Sequence, residues 1–230
     1  MLKTLLLALA GLALCTTQAL AEPLKIGVIG AGNVGGTLGT LWAQAGHPVM
    51  FASRHPDELA GLVKAAGANA RAGSVADALA YADVIVLSVP YAAMPAISEQ
   101  GRGTFQGKVV LSTSNPFSGR DGEVGRQALA DGVASADQRY LPGARLVRAF
   151  NAIGYGSMKS QAHRQSGGPV AIATFADDAK AREVGARLVR DAGFIPVLLP
   201  LARANEGLPG GATSGVLSEA QLKSALGVAP

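Results

Sequence analysis

Leu24-Lys-Ile-Gly-Val-Ile-Gly30-Ala-Gly-Asn-Val-Gly35 is the stretch on which the fold turns. Its first half is a short run rich in β-branched residues that ends in glycine, the pattern of a strand. From there to Ala45, Val34, Leu38, Leu41 and Trp42 recur at helical spacing. Between strand and helix stands Gly30-Ala31-Gly32-Asn33-Val34-Gly35, a G-x-G-x-x-G pattern. Gly30 would permit the tight turn, Gly32 would let a pyrophosphate approach the backbone, and Gly35 would let helix and strand pack closely. The free N–H groups at the helix start would then face the phosphates. In a chain with 30 glycines the pattern alone is weak. Its position directly after the strand gives it weight.

The next strand supplies an independent test. Pro48-Val-Met-Phe-Ala52 is apolar and should end where a dinucleotide's adenosine ribose sits. An NAD site would place Asp or Glu there to accept from the ribose hydroxyls, but the sequence reads Ser53-Arg54-His55. A hydroxyl and a permanently charged, forked guanidinium suit a 2′-phosphate, so the expected cofactor is NADP. The same Ser-Arg pair also fits a solvated loop that opens the next helix.

Alternation continues downstream. Helical segments are expected over Pro56 to Ala66, Ser74 to Tyr81 and Tyr91 to Gln100, with strands over Asp83 to Val89, Lys108 to Leu111 and Leu146 to Phe150. A further strand, Pro169 to Phe175, precedes a charged helix opened by Asp177 and Asp178 and running to about Asp191, and Ile195 to Leu199 is another strand. Glu206 to Gly215 reads as loop, and Ser218-Glu-Ala-Gln221 has the spacing of a capping box before a last short helix. This order predicts an α/β protein of Rossmann type: a doubly wound, mostly parallel sheet with a small C-terminal α/β extension. The expected division is a leader over 1–21, a nucleotide-binding domain over 22–165, and an extension over 166–230 packed on the same core. Ligands in such sheets lie beyond the carboxyl ends of the strands, which here carry Ser88-Val89-Pro90-Tyr91, Ser112-Thr-Ser-Asn115-Pro116-Phe117 and Asn151-Ala-Ile-Gly-Tyr155. Pro90 and Pro116 also serve simply to stop strands, and Asn151 either meets a nicotinamide carboxamide or satisfies buried backbone groups.

Composition narrows the function. The 230 residues carry 20 basic and 16 acidic side chains, a net charge of +4, and 5% aromatic residues, without the basic and aromatic run that a nucleic-acid groove requires. Cys15 is the only cysteine and His47, His55 and His163 are scattered, so no metal site is expected. At the N-terminus, Lys3, the apolar run from Leu5 to Leu14 and the small-x-small exit Ala19-Leu-Ala21 form the three-part pattern of a secretory leader. Cleavage after Ala21 would leave a periplasmic or secreted chain without cysteine and without a stable membrane span, since a spanning helix needs about 20 apolar residues.

Together these residues resemble the coenzyme F420-dependent NADP oxidoreductases and the related NADP-binding domain of the STEAP metalloreductases, from Leu24 to about Leu201. The likeness rests on the Gly30 to Gly35 turn, Ser53-Arg54, Val89-Pro90 and Arg148-Ala-Phe-Asn151. The resemblance implies that Ala31 to Val34 hold the pyrophosphate, that Ser53 and Arg54 hold the 2′-phosphate, and that Pro90, Phe117 and Tyr155 lie near the nicotinamide. It implies hydride transfer between NADP(H) and a small-molecule acceptor, a flavin or deazaflavin such as F420, with ferric reduction as a further activity and a homodimer as a compatible assembly. In two respects the chain departs from that pattern. It turns to glycine-rich loop after Arg203, where the archetypal enzymes continue into helices, and it carries an export signal. Hydride transfer between two cofactor rings needs no dedicated acid or base, and no catalytic residue is assigned. The alternative is a non-catalytic NADP-binding or redox-sensing module that acts through a partner.

Overall fold

The computed structural model describes residues 22–229, so the expected leader lies outside the described residues. The chain runs β1 (Ile26–Ile29), α1 (Asn33–Gln44), β2 (Val49–Ala52), α2 (Ala60–Ala66), β3 (Ala70–Gly73), α3 (Val75–Tyr81), β4 (Val84–Leu87), α4 (Met94–Gln100) and β5 (Val109–Ser112). It continues through α5 (Ser118–Asp131), α6 (Val133–Tyr140), β6 (Arg145–Ala149), α7 (Tyr155–Gln161), β7 (Ala171–Phe175), α8 (Ala179–Asp191), β8 (Ile195–Leu199) and α9 (Glu219–Ala225). The strands form one sheet in the order β3-β2-β1-β4-β5-β6-β7-β8. Every neighbouring pair is parallel except β6 and β7. This is the expected doubly wound, mostly parallel Rossmann-type sheet.

Burial on both faces explains the composition of the central strands. Successive side chains of a strand point to opposite faces, so a sheet covered on both sides needs apolar residues at nearly every position. Ile26 and Val28, Val49 and Phe51, Val84 and Val86, and Val109 and Leu111 enter one core with Leu38 and Trp42 of α1. The alternate residues Ile29, Met50, Ile85, Leu87 and Val110 enter the other, with Leu79 and Tyr91. Trp42 also donates its indole N–H to the carbonyl of Leu188 at 2.8 Å, fastening α1 to α8. Among the described residues no helix is long and apolar enough to cross a membrane.

Several local features differ from expectation. The segments from Pro56 and from Tyr91 open as 3-10 turns, Pro56–Leu59 and Tyr91–Ala93, before becoming α2 and α4. Ala70-Arg-Ala-Gly73 has no β-branched residue, yet pairs with β2 as an edge strand. The loop expected from Glu206 starts later, because a 3-10 segment occupies Leu201–Gly207. Ser218 accepts from Gln221 N–H in the expected capping box, but of the two aspartates expected to cap α8 only Asp178 does so, accepting from Ala181 N–H at 2.9 Å, while Asp177 accepts from Leu201 N–H at 2.9 Å beyond β8.

A buried polar network joins the strand ends. Arg148 of β6 and Asp137 of α6 are both fully buried and form an ion pair through Nη1. The hydroxyl of Tyr91, just past β4, donates to the second Asp137 oxygen at 2.7 Å. Arg148 Nη2 donates to the Ser114 carbonyl, beyond β5, at 2.9 Å. Burial, reinforced by the Asp137 charge, pushes the Tyr91 phenol far above its ordinary range and keeps it a neutral donor. Removing one partner of a buried pair leaves the other charge uncompensated, which costs about 3–5 kcal/mol. Asp137→Ala should therefore lose about that much unfolding free energy in urea denaturation, and Asp137→Asn less. A loss within about 0.5 kcal/mol of wild type would show that Arg148 does not depend on this partner.

Candidate functional site

The glycine turn closes at the carboxyl end of β1. Gly30 has φ +97°, and its N–H donates to the Ala52 carbonyl at 3.1 Å. A Cβ there would stand 2.2 Å from the Ser88 carbonyl oxygen, and one on Gly35 would stand 2.2 Å from that of Gly30. Both positions exclude any larger residue by contact with backbone that cannot yield. Gly32 differs: nothing lies within 4 Å of the Cβ it lacks, so its open side faces the cleft. Gly32 is also the N-cap of the twelve-residue α1, with no side-chain cap and no acidic residue in the first turn. The first N–H groups of that helix are thus free for an anion.

The register Ile29↔Ala52 puts Ser53 beside Gly30. Ser53 Oγ accepts from His55 N–H at 3.1 Å, which leaves its own hydroxyl proton free to donate. Arg54 is exposed and makes no ion pair with the described residues. A donor and a free cation therefore flank the turn.

Opposite them, Gly32, Asn33 and Val34 share a cleft of about 250 Å³ with Ser88, Val89, Pro90, Thr113, Ser114, Asn115, Phe117 and Arg120. Ser114 ties two of the converging strand ends together, its Oγ accepting from Val89 N–H at 3.1 Å. Of the residues singled out from sequence, Gly32, Asn33, Val34, Val89, Pro90 and Phe117 line this space. Gly30, Ala31 and Gly35 shape its floor, and Ser53 and Arg54 lie at the adjoining strand end. Asn151 and Tyr155 do not line it. Asn151 is buried behind it, donating to the Ser112 carbonyl at 3.3 Å and Asn115 Oδ1 at 3.2 Å, while its own Oδ1 has no partner. Tyr155 is half-exposed at the start of α7. The chain reaches Asn151 through Phe150, a non-glycine residue at φ +63° whose ring is pinned edge-on against Trp42 and Phe194 at 6.4 and 5.7 Å. That packing offsets a backbone conformation costing about 1–3 kcal/mol.

Sequence reasoning missed Arg120 and Asp121. Asp121 is buried and accepts from Phe117 N–H at 2.8 Å and Ala92 N–H at 3.1 Å, joining the loops after β5 and β4. Burial pushes its carboxyl upward, but Arg120 and the two N–H groups outweigh that and hold it below the ordinary aspartate range. The local sequence Ser-Gly-Arg-Asp-Gly looks like a solvated loop, and only the fold shows that Gly122, at φ +55°, breaks α5 so that Asp121 turns inward.

Residues 25–116 match the family model described as NADP oxidoreductase, coenzyme F420-dependent. The metalloreductase STEAP3 of Rattus norvegicus is 27% identical over 194 residues, which are 82% of this chain. The match covers 37% of STEAP3, so the chain spans little more than a third of that relative's length. Among solved structures, the hypothetical protein SMa0349 of Sinorhizobium meliloti is similar with a TM-score of 0.72 and 27% identity, covering 85% of this chain and 96% of that one. A pyrroline-5-carboxylate reductase of Coxiella burnetii shares the fold, with a TM-score of 0.60 and 16% identity over 80% of this chain and 62% of its own. The matched residues hold the glycine turn, the Ser53-Arg54 strand end and the ends of β4 and β5 across the cleft, so it is this part of the chain that is similar to the coenzyme F420-dependent NADP oxidoreductases.

Proposed function

We propose that the chain binds NADP(H) across the carboxyl ends of β1, β4 and β5 and works as a reductase of a flavin or deazaflavin acceptor. The observation that carries this reading is the pairing of a free hydroxyl proton on Ser53 with the unpaired Arg54 guanidinium, in register with the glycine turn. The fit is specific on the protein's side. The α1 N–H groups and the open face of Gly32 would take the pyrophosphate, Ser53 and Arg54 the 2′-phosphate, and Val89, Pro90 and Phe117 the nicotinamide end. When bound, the nicotinamide supplies a hydride, which together with one proton from solvent reduces the acceptor ring by two electrons. The protein's own contribution is positional: the apolar strand-end residues exclude water, and the network beneath them fixes the wall against which the rings align. Ferric chelates belong among the acceptors to be screened. The reading does not depend on whether the chain works as a monomer or a homodimer.

We also propose that residues 1–21 are a secretory leader and that the working protein begins at Glu22 in the periplasm. The basic residue, short apolar run and small-x-small exit support this.

Arg54→Glu should weaken NADPH binding by at least about tenfold while changing NADH binding far less, as a lost and reversed charge-assisted contact would; equal losses for the two would remove the 2′-phosphate assignment. Steady-state NADPH oxidation with flavins, F420 and ferric chelates should show acceptor dependence, whereas saturable NADPH binding with no acceptor-dependent oxidation would assign the chain to binding or sensing instead. N-terminal sequencing of periplasmic protein should start at Glu22, and full-length chain confined to the cytosol would refute export.

A further inference from the structure

Asn151 is kept in place against two local costs. It is buried, its Oδ1 has no hydrogen-bond partner, and the residue before it, Phe150, is held at φ +63°. A buried acceptor left unsatisfied and a left-handed non-glycine residue both oppose folding. Two such costs at consecutive positions, at a strand end beside the cleft, mark a constraint retained for what it positions and not for the stability it adds.

What Asn151 holds is the loop after β5. The β5–β6 register ends at Ser112↔Arg148, and Asn115 and Asn151 each lie three residues past that pair. Their side chains continue the joint where the ladder stops. Asn115 Nδ2 donates to the Asn151 carbonyl at 2.7 Å, and Asn151 Nδ2 donates back to Asn115 Oδ1 at 3.2 Å and to the Ser112 carbonyl at 3.3 Å. Asn115 Oδ1 also accepts from Arg148 Nη2 at 3.5 Å. Both ends of the Asn115 amide are therefore spent on the interior, although Asn115 itself lines the cleft. The clasp fixes the main chain that leads through buried Pro116 to Phe117, whose exposed ring stands on the cleft wall.

We propose that Asn151 is a positioning residue for the nicotinamide end of the cleft: it touches no part of the dinucleotide and acts through Asn115, whose clasped amide sets the wall against which the nicotinamide lies. This assignment rests on the nucleotide reading given above. It goes beyond that reading by giving control of one half of the cofactor to a residue outside the cleft.

Adenosine 2′,5′-bisphosphate, which keeps the 2′-phosphate and lacks the nicotinamide, separates this role from a general loss of structure. In calorimetric titrations Asn151→Ala should weaken NADPH about five- to tenfold and leave the bisphosphate within about twofold of wild type. The change in nicotinamide fluorescence on binding NADPH should shrink in the same variant. Asn115→Ala should reproduce both effects, and the double variant should lose no more than either single one, because the two residues act as a unit. Asn115 is only partly buried, so Asn115→Ala carries the test alone if thermal melting shows Asn151→Ala unfolded. Equal losses for NADPH and the bisphosphate, NADPH binding unchanged in the variants, additive losses in the double variant, or wild-type protein that binds the two ligands equally would each overturn the proposal and leave the nucleotide site standing. Wild-type protein that binds neither ligand would remove the nucleotide reading and the proposal with it.

Discussion

A guanidinium and a carboxylate meet in the dry interior between the sheet and α6, and the geometry of the cleft depends on that meeting. Arg148 occupies a strand position where its neighbours are apolar, so its charge could enter the core only with Asp137 there to receive it. Nη2 of Arg148 and the second oxygen of Asp137 then reach Ser114 and Tyr91, and through them the ends of two other strands. The loops after β4 and β5, separated by more than twenty residues of sequence, are thereby fixed relative to β6 and to one another. Such a pair gives little net stability over an apolar replacement of equal shape. Its value here is positional, because the loops it fixes are those that form the wall of the cleft.

The two halves of the proposed nucleotide site rest on different physics. At the glycine turn, steric exclusion dominates: side chains are absent where backbone passes backbone, and the helix start is left bare. At the end of β2, electrostatics dominates, with the exposed Arg54 making no ion pair among the described residues. On the proposed reading, the first half would accept any dinucleotide and the second would discriminate by one phosphate. The parallel register between β1 and β2 brings them side by side.

What the sequence made legible was local. The strand-turn-helix at Gly30, the caps at Asp178 and Ser218, and the apolar runs of β4 and β5 each carry their signal within a few residues, and each forms. β3 was not legible because Ala-Arg-Ala-Gly has no intrinsic strand preference and is recruited by the exposed edge of β2. The inward turn of Asp121 was hidden for a related reason: its partners are the backbone of Phe117 nearby and Ala92 about thirty residues away, which no spacing rule connects. Asn151 was flagged for the right neighbourhood, but its amide is spent on Ser112 and Asn115, behind the cleft wall. The reversal of β7 was equally unreadable, since strand direction follows from the path of the intervening chain.

That reversal leaves a seam in the molecule. β6 and β7 share the partners Arg148↔Phe175 and Ala149↔Thr174, whereas the other neighbours are aligned over four or five residues. The ladder across this joint is therefore shorter than any other in the sheet. α8 makes up the deficit by lying over β5, β6, β7 and β8 together, and the indole of Trp42 ties it to α1. The helix acts as a splint, joining the segment after Ser166 to the parallel half of the sheet where the ladder between them is short.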